Sequence, residues 1–175
     1  MENKSFKINV KNGFYIGDLC YALDDGVYFA VWGENNFEDG QYTDPETKAE
    51  FAMVGTAEGD GEYESSEEGL SFPVDAGIIG IADLSICTKD PLRKKDISCG
   101  KVVPDYSGIV FIEYNDGTIT VSWGDGDDYK EIDIYTGYDD HDEDEEYYDE
   151  EEGSDEEERY DEDGDYGEDE EEEDW

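Results

Sequence analysis

The last 38 residues, 138–175, constrain the folding of this chain more than any other stretch. They contain 26 Asp and Glu residues against one basic residue, Arg159, which gives the segment a net charge of -25. The segment has almost no aliphatic surface to bury, and its like charges repel one another, so nothing offsets the entropic cost of ordering it. We therefore expect 138–175 to be a disordered acidic tail, extended and solvated.

The preceding residues, 1–137, are enough for one globular domain and contain apolar residues suited to a core. This part is acidic as well, with 28 Asp and Glu against 10 Lys and Arg, a net charge of -18 within the total of -43. Repulsion disfavours binding to nucleic acid or anionic lipid, while long-range attraction speeds the capture of cationic partners. We expect a basic protein as the partner, with neither direct nucleic-acid binding nor membrane binding.

The N-terminal residues 1–11 lack the apolar region of a signal peptide, and no stretch has the roughly 18 consecutive apolar residues of a membrane span. Cys20, Cys87 and Cys99 are too few for a disulfide framework and form no C-x-x-C pair. These features favour a cytoplasmic protein with reduced thiols.

Hydrophobic patterning in 1–137 favours strands. Apolar and polar residues alternate over 6–10, and after an Asn12-Gly13 turn the stretch 14–16 completes a predicted hairpin. Asp24 or Asp25 is expected to cap a short helix that ends near Trp32, with a strand as the alternative.

The later strands have clearer signals. Residues 78–84 are the most continuously apolar stretch and are placed at the centre of the sheet, where Gly80 indicates a bulge or a close backbone approach. Residues 109–114 and 118–123 flank Asn-Asp-Gly and predict a hairpin whose Ile119, Val121 and Trp123 face the core. The fold class is α+β, mainly antiparallel β, as an open sheet or a partly closed barrel, with one short helix.

Three segments carry a resemblance to known proteins. Residues 15–21 read YIGDLCY, residues 55–61 read GTAEGDG, and residues 72–81 read FPVDAGIIGI. Over roughly residues 14–86 the chain resembles a set of small bacterial and phage proteins that have no assigned reaction, cofactor or catalytic residue and often carry Pro where Leu19 stands. The resemblance implies a β-rich fold and the cytoplasm of a bacterium or an infected host cell.

No catalytic constellation emerges from the sequence, and we expect a protein that is not an enzyme and uses no cofactor. The sole histidine, His141, lies in the tail, and no phosphate-binding glycine motif occurs. Asp18 and Asp75 each adjoin apolar sequence and are the best candidates for a ligand site, although a turn or cap carboxylate that accepts backbone hydrogen bonds is the favoured interpretation of both.

The tail contains a partial match to a calcium-binding loop. Asp161, Asp163, Asp165 and Glu172 have the spacing of EF-hand ligands, but Tyr166 stands where that loop requires glycine. We expect weak binding of divalent cations and no dedicated metal site.

The tail has the properties of a nucleic-acid mimic. An extended chain advances about 3.3 Å per residue and a DNA strand carries a phosphate about every 3.4 Å, so a tail that is two-thirds acidic approaches the charge density of a single strand. Its aromatic rings are spaced to occupy stacking positions meant for bases. The predicted partner-binding residues are Tyr147, Tyr148, Tyr160, Asp161, Asp163, Asp165, Tyr166, Asp169, Glu170, Glu171, Glu172, Glu173, Asp174 and Trp175.

The end of the tail, 169–175, also resembles the acidic arms of some single-stranded-DNA-binding proteins, which recruit replication partners. The sequence thus predicts a non-enzymatic interaction protein that binds the basic surface of a nucleic-acid-binding protein by charge mimicry. Three alternatives remain: a small hydrolase or ligand-binding domain with its site at Asp18 and Asp75, a virion or assembly component, and a tail that only confers solubility. The basic stretch 89–101 is expected to be a solvated segment or a docking point for the tail.

Overall fold

The computed structural model describes residues 3–88 and 99–137. The predicted disorder of the tail, its partner-binding residues and most of the basic stretch lie outside the described residues.

The described residues form two large antiparallel sheets and a two-stranded ribbon. One sheet has the strand order β1-β9-β10-β11, the other has the order β3-β4-β7-β2-β8, and the ribbon pairs β5 with β6. This confirms a mainly antiparallel fold, and because neither sheet closes on itself, the open-sheet alternative applies rather than the barrel. The strands are β1 (Lys4–Val10), β2 (Phe14–Gly17), β3 (Gly40–Thr43), β4 (Glu50–Gly55), β5 (Gly61–Glu64), β6 (Ser71–Val74), β7 (Ile78–Asp83), β8 (Gly100–Val103), β9 (Gly108–Asn115), β10 (Thr118–Trp123) and β11 (Lys130–Tyr135).

The main core lies between the two large sheets. Along β9, Val110, Ile112 and Tyr114 are buried while the residues between them are exposed, as expected for a strand covered on one face. Buried residues of β2, β4 and β7 join the same cluster from the second sheet. The predicted hairpin of β9 and β10 is confirmed, and its three expected core residues, Ile119, Val121 and Trp123, are buried.

The middle strands of the five-stranded sheet, β4, β7 and β2, are buried on both faces. All six residues of β7 are buried, and β7 lies at the middle of the sheet order, as the continuous apolar stretch predicts. The face turned away from the main core presents Phe51, Met53 and Ala82 to a second cluster that includes Leu19 and Trp32. At Gly80 the backbone approaches closely, because a Cβ there would lie 2.6 Å from Leu19 and 2.7 Å from the carbonyl oxygen of Ala52.

The predicted hairpin between the first two strands is wrong. Both strands exist, but β1 pairs with β9 and β2 pairs with β7 and β8, so the chain passes from one sheet to the other at Asn12-Gly13. Burial explains why the two strands enter different sheets. All four residues of β2 are buried, so β2 needs cover on both faces, whereas exposed residues alternate with more buried ones along β1, which needs cover on one face.

A helical segment, residues 25–35, covers the outer face of the five-stranded sheet. The Asp24 carboxylate caps it by accepting a hydrogen bond from the Gly26 N–H at 2.8 Å. An α turn (Asp25–Val27) leads into a π turn (Tyr28–Trp32) and a 3₁₀ turn (Gly33–Asn35). The helix prediction is confirmed over the strand alternative.

Candidate interaction surface

Asp18 holds two turns together. Its side chain has no exposed surface. One carboxylate oxygen accepts a hydrogen bond from the Cys20 N–H at 2.9 Å, and the other accepts from the N–H groups of Asp75 and Ala76, both at 2.7 Å. These three bonds satisfy a buried carboxylate and fix the turn after β2 against the turn after β6. The geometry therefore gives Asp18 a structural role.

Asp75 contacts Asp18 through its backbone N–H, whereas the side chain of Asp75 is exposed. The Tyr21 hydroxyl donates a hydrogen bond to the carboxylate of Asp75. Burial raises the pKa of Tyr21, and this hydrogen bond to a carboxylate raises it further. The structure thus places the two predicted residues next to each other, with the Asp18 carboxylate buried and the Asp75 side chain exposed.

Two further buried carboxylates also serve turns. Asp83 accepts hydrogen bonds from the N–H groups of Ser85 at 2.9 Å and Lys11 at 3.1 Å. Asp44 accepts from the Thr47 hydroxyl at 2.6 Å and the Thr47 N–H at 3.1 Å, and the hydroxyl bond lowers the pKa of Asp44. Within residues 3–88 and 99–137, no group of His, Cys, Asp and Glu side chains is arranged to hold a metal ion.

The three cysteines form no disulfide. The Cys87 thiol donates a hydrogen bond to the Asp83 carbonyl oxygen at 3.4 Å, and burial raises its pKa. A thiol of raised pKa is largely protonated at neutral pH, and Cys87 packs against the second core cluster as a partly buried residue.

An exposed aromatic cluster is the most unusual feature of the described surface. We call Tyr28, Phe29 and Phe37 the aromatic patch. Phe29 is 60% exposed and Phe37 is 46% exposed, whereas Trp32 beneath them is 3% exposed. The ring centroids of Tyr28 and Phe29 are 5.1 Å apart, and those of Trp32 and Phe37 are 4.9 Å apart, both in edge-to-face geometry. These rings support one another while two of them face solvent.

The backbone holds the patch in place at some conformational cost. Phe37 has φ 54° and follows Asn36 with φ 59°, and a bulky residue in this left-handed region costs about 1–3 kcal/mol. Gly33 allows the Phe37 ring to approach the helical segment, because a Cβ there would lie 3.1 Å from the ring. Residues with strained backbones persist where the surrounding structure fixes them, and they are frequent at functional sites. Single π turns, such as the one formed by Tyr28–Trp32, are also frequent at functional sites.

Hydrogen bonds fix the chain that follows the patch. The Trp32 indole N–H donates to the Glu38 carbonyl oxygen at 3.0 Å, and the Tyr42 hydroxyl donates to the same oxygen at 2.6 Å. The Phe37 N–H donates to the Trp32 carbonyl oxygen at 3.2 Å. The patch is therefore anchored to the buried indole and to β3.

Exposed carboxylates flank the aromatic patch along the chain. Asp24, Asp25, Glu34 and Glu38 are all exposed, and no Lys or Arg occurs between Lys11 and Lys48 in the sequence. A fifth carboxylate, Asp39, forms an ion pair with Lys4. We call the four exposed carboxylates the acidic rim. A hydrophobic centre inside a charged rim is the usual anatomy of a protein-binding surface.

A cleft lies beside the same helical segment. It has a volume of about 470 Å³, and its lining includes Val27, Ala30, Val31, Ile86 and the turn 44–47. An apolar side chain of a bound protein fits a cleft of this kind.

The sequence analysis did not identify the aromatic patch or the acidic rim. The sequence predicted a short helix ending near Trp32 and assigned no binding role to Tyr28, Phe29 or Phe37. The available signal was a run of bulky residues, 27–32, flanked by Asp24, Asp25, Glu34 and Glu38 and without the spacing of an amphipathic helix.

Searches of protein-family models, curated proteins and solved structures found no match to this chain. Among the described residues, no helix is both long enough and apolar enough to cross a membrane.

Proposed function

We propose that this protein is a non-enzymatic inhibitor or regulator that binds the basic surface of a nucleic-acid-binding protein in place of the nucleic acid. The observation that carries the proposal is the aromatic patch, in which Phe29 and Phe37 are exposed and Phe37 has a strained backbone, next in sequence to the carboxylates of the acidic rim. The overall charge of -43 supports the same partner, because only a cationic surface gains from approaching it.

The chemistry of the patch matches what a nucleic-acid-binding site offers. Such sites present Arg and Lys to phosphates and often aromatic rings to bases. Carboxylates accept hydrogen bonds from guanidinium and ammonium groups, and the faces of Phe29 and Phe37 accept a guanidinium by cation–π stacking. The acidic rim therefore stands in for phosphates and the aromatic patch for bases.

The tail, 138–175, serves the same function in this proposal. Its net charge of -25 steers a basic partner towards the protein and competes for phosphate subsites. Its rings, among them Tyr147, Tyr148 and Trp175, are proposed to occupy base-stacking positions. The two parts have separable effects, since tail charge acts mainly on the rate of association and the patch on the rate of dissociation.

A pull-down from a bacterial lysate tests the proposal. The baits are the full-length protein, a Phe29→Ser/Phe37→Ser variant, and a variant whose tail Asp and Glu are replaced by Asn and Gln. Tyr135→Ser is the matched control. Tyr135 is 46% exposed, like Phe37, but it lies on β11 of the four-stranded sheet and not on the helical segment or the turn that carry the patch.

We expect the full-length and Tyr135→Ser baits to retain a nucleic-acid-binding protein that salt releases, and the other two baits to lose most of it. Retention of the same proteins by all four baits would refute the assignment to the patch and the tail. Retention of proteins that bind no nucleic acid would refute the mimicry.

A further inference from the structure

A second surface lies on the opposite side of the domain. The loop 103–108 and the residues 123–130 enclose a cleft of about 660 Å³. Its floor includes Ile109 and Phe111, which are 40% and 41% exposed and alternate along β9 with core residues. They therefore lie on the outer face of the four-stranded sheet, whereas the helical segment covers the outer face of the five-stranded sheet.

The cleft is pre-formed. The Tyr106 hydroxyl donates to the Ile109 carbonyl oxygen at 3.0 Å and accepts from the Gly124 N–H at 3.0 Å, which joins the two walls. The rings of Tyr106 and Trp123 both pack edge-on against Phe14 in the core, at 5.8 and 5.3 Å. A site held in this way loses little entropy when a ligand binds.

The charge of the cleft selects a cation. Three exposed carboxylates line it, those of Asp105, Asp125 and Asp128, while Lys130 is the one basic residue among its lining. With Phe111 on the floor, the cleft offers a carboxylate cluster next to an aromatic ring. A guanidinium suits both, because it hydrogen-bonds carboxylates in a planar fork and stacks on aromatic faces.

The cleft continues as a groove along β8. A second cavity of about 420 Å³ shares Val103, Pro104, Trp123 and Lys130 with the first and extends past Lys101 and Val102. β8 ends the strand order of its sheet and, within the described residues, pairs with β2 alone. A strand edge beside a groove presents backbone donors and acceptors to an added strand.

We propose that this groove binds an extended peptide segment that contains an arginine. The arginine lies over Phe111 between Asp105, Asp125 and Asp128, and the segment runs along β8 and adds a strand to the five-stranded sheet. A small organic cation fills only one end of the groove, and a second copy of this chain is repelled by its charge of -43. This site goes beyond the proposed function, since its surface and its ligand differ from the aromatic patch and a basic nucleic-acid-binding surface.

The test is a titration of ¹⁵N-labelled full-length protein with the peptide acetyl-Thr-Val-Arg-Val-Thr-amide, followed by NMR at about 150 mM salt to screen diffuse attraction. The matched peptide carries glutamine in place of arginine. Phe111→Ser is the variant, and Tyr135→Ser is again the control, because it lies on the same sheet but does not line the cleft.

We expect amide shifts confined to 101–111 and 123–130, with slower amide exchange in β8. Binding falls at least about tenfold with the glutamine peptide and at least about fivefold with Phe111→Ser, while Tyr135→Ser leaves it unchanged. Shifts spread over the whole surface or centred on 28–37, equal binding of both peptides, or an unaffected Phe111→Ser variant would each overturn the proposal. The pull-down with the Phe29→Ser/Phe37→Ser bait is independent of these outcomes.

Discussion

Replacing Asp18 by alanine removes the acceptor for three backbone N–H groups at once. The Cys20, Asp75 and Ala76 N–H groups donate to its carboxylate at 2.9, 2.7 and 2.7 Å, and the side chain is wholly buried. A hydrogen bond to a charged group contributes about 1.5–3 kcal/mol, and each donor left unsatisfied in the interior costs about 1–3 kcal/mol. We expect Asp18→Ala to lower the free energy of unfolding by about 4 kcal/mol or more.

The conservative variant Asp18→Asn is expected to lose less unfolding free energy than Asp18→Ala. Its amide oxygen can still accept from the N–H groups of Asp75 and Ala76, while its NH₂ group faces the Cys20 N–H and loses that bond. One such loss costs about 2 kcal/mol. Asp75→Asn keeps the backbone N–H that donates to Asp18, and its exposed amide oxygen can still accept from the Tyr21 hydroxyl, so its cost stays within about 1 kcal/mol.

Urea unfolding monitored by tryptophan fluorescence measures all three variants, because Trp32 and Trp123 are buried in the two clusters. The expected order of destabilisation is Asp18→Ala, then Asp18→Asn, then Asp75→Asn. If Asp18→Ala fails to fold, the comparison between Asp18→Asn and Asp75→Asn still tests the structural role of Asp18. Equal stability of these two variants would refute the structural role of Asp18.

Three shorter predictions address pH, thiol reactivity and packing. Asp44 has a lowered pKa in the folded state, which stabilises the fold above the unfolded pKa of about 4, and this stability is lost as pH falls through the folded pKa. Asp44→Asn is therefore expected to lower Tm at neutral pH, and the loss shrinks as pH falls below about 4, whereas Glu58→Gln at an exposed position leaves Tm unchanged. An Asp44→Asn effect that does not change with pH in a series of thermal melts would contradict this. Burial raises the pKa of Cys87, so Cys87→Ser leaves the fast phase of thiol labelling near pH ~8 intact, and loss of that phase would refute the assignment. A Cβ on Gly80 meets Leu19 at 2.6 Å, so Gly80→Ala costs about 1–3 kcal/mol in urea unfolding, and an unchanged midpoint would contradict the packing.

The sequence predicted those strands whose signals are local. The Asn-Asp-Gly turn between β9 and β10 and the apolar run of β7 determine pairing or burial within a short window, and both predictions are confirmed. Asn12-Gly13 carries a similar turn signal, yet the strands it joins enter different sheets. Strand pairing depends on partners about 100 residues away in this case, β9 for β1, and composition near the turn does not contain that information.

The candidate site was harder to predict for the same reason. The apolar neighbours of Asp18 marked it as a possible ligand residue, whereas in the structure its carboxylate is buried as an acceptor that joins two turns. The aromatic patch depends on a positive φ at Phe37 and on contacts between Tyr28, Trp32 and Phe37 that arise only on folding. The high charge of the tail was the strongest feature of the sequence, and all predicted partner-binding residues were therefore placed in 147–175.

The central claim, replacement of nucleic acid on a basic partner, is tested most directly by competition. The nucleic-acid-binding protein retained in the pull-down is mixed with a fluorescein-labelled oligonucleotide that it binds, and the anisotropy is followed as this protein is added. The account predicts full, saturable displacement by the wild-type and Tyr135→Ser proteins and about tenfold weaker displacement by Phe29→Ser/Phe37→Ser. An oligonucleotide that stays bound while this protein also binds, in a ternary complex, would contradict it.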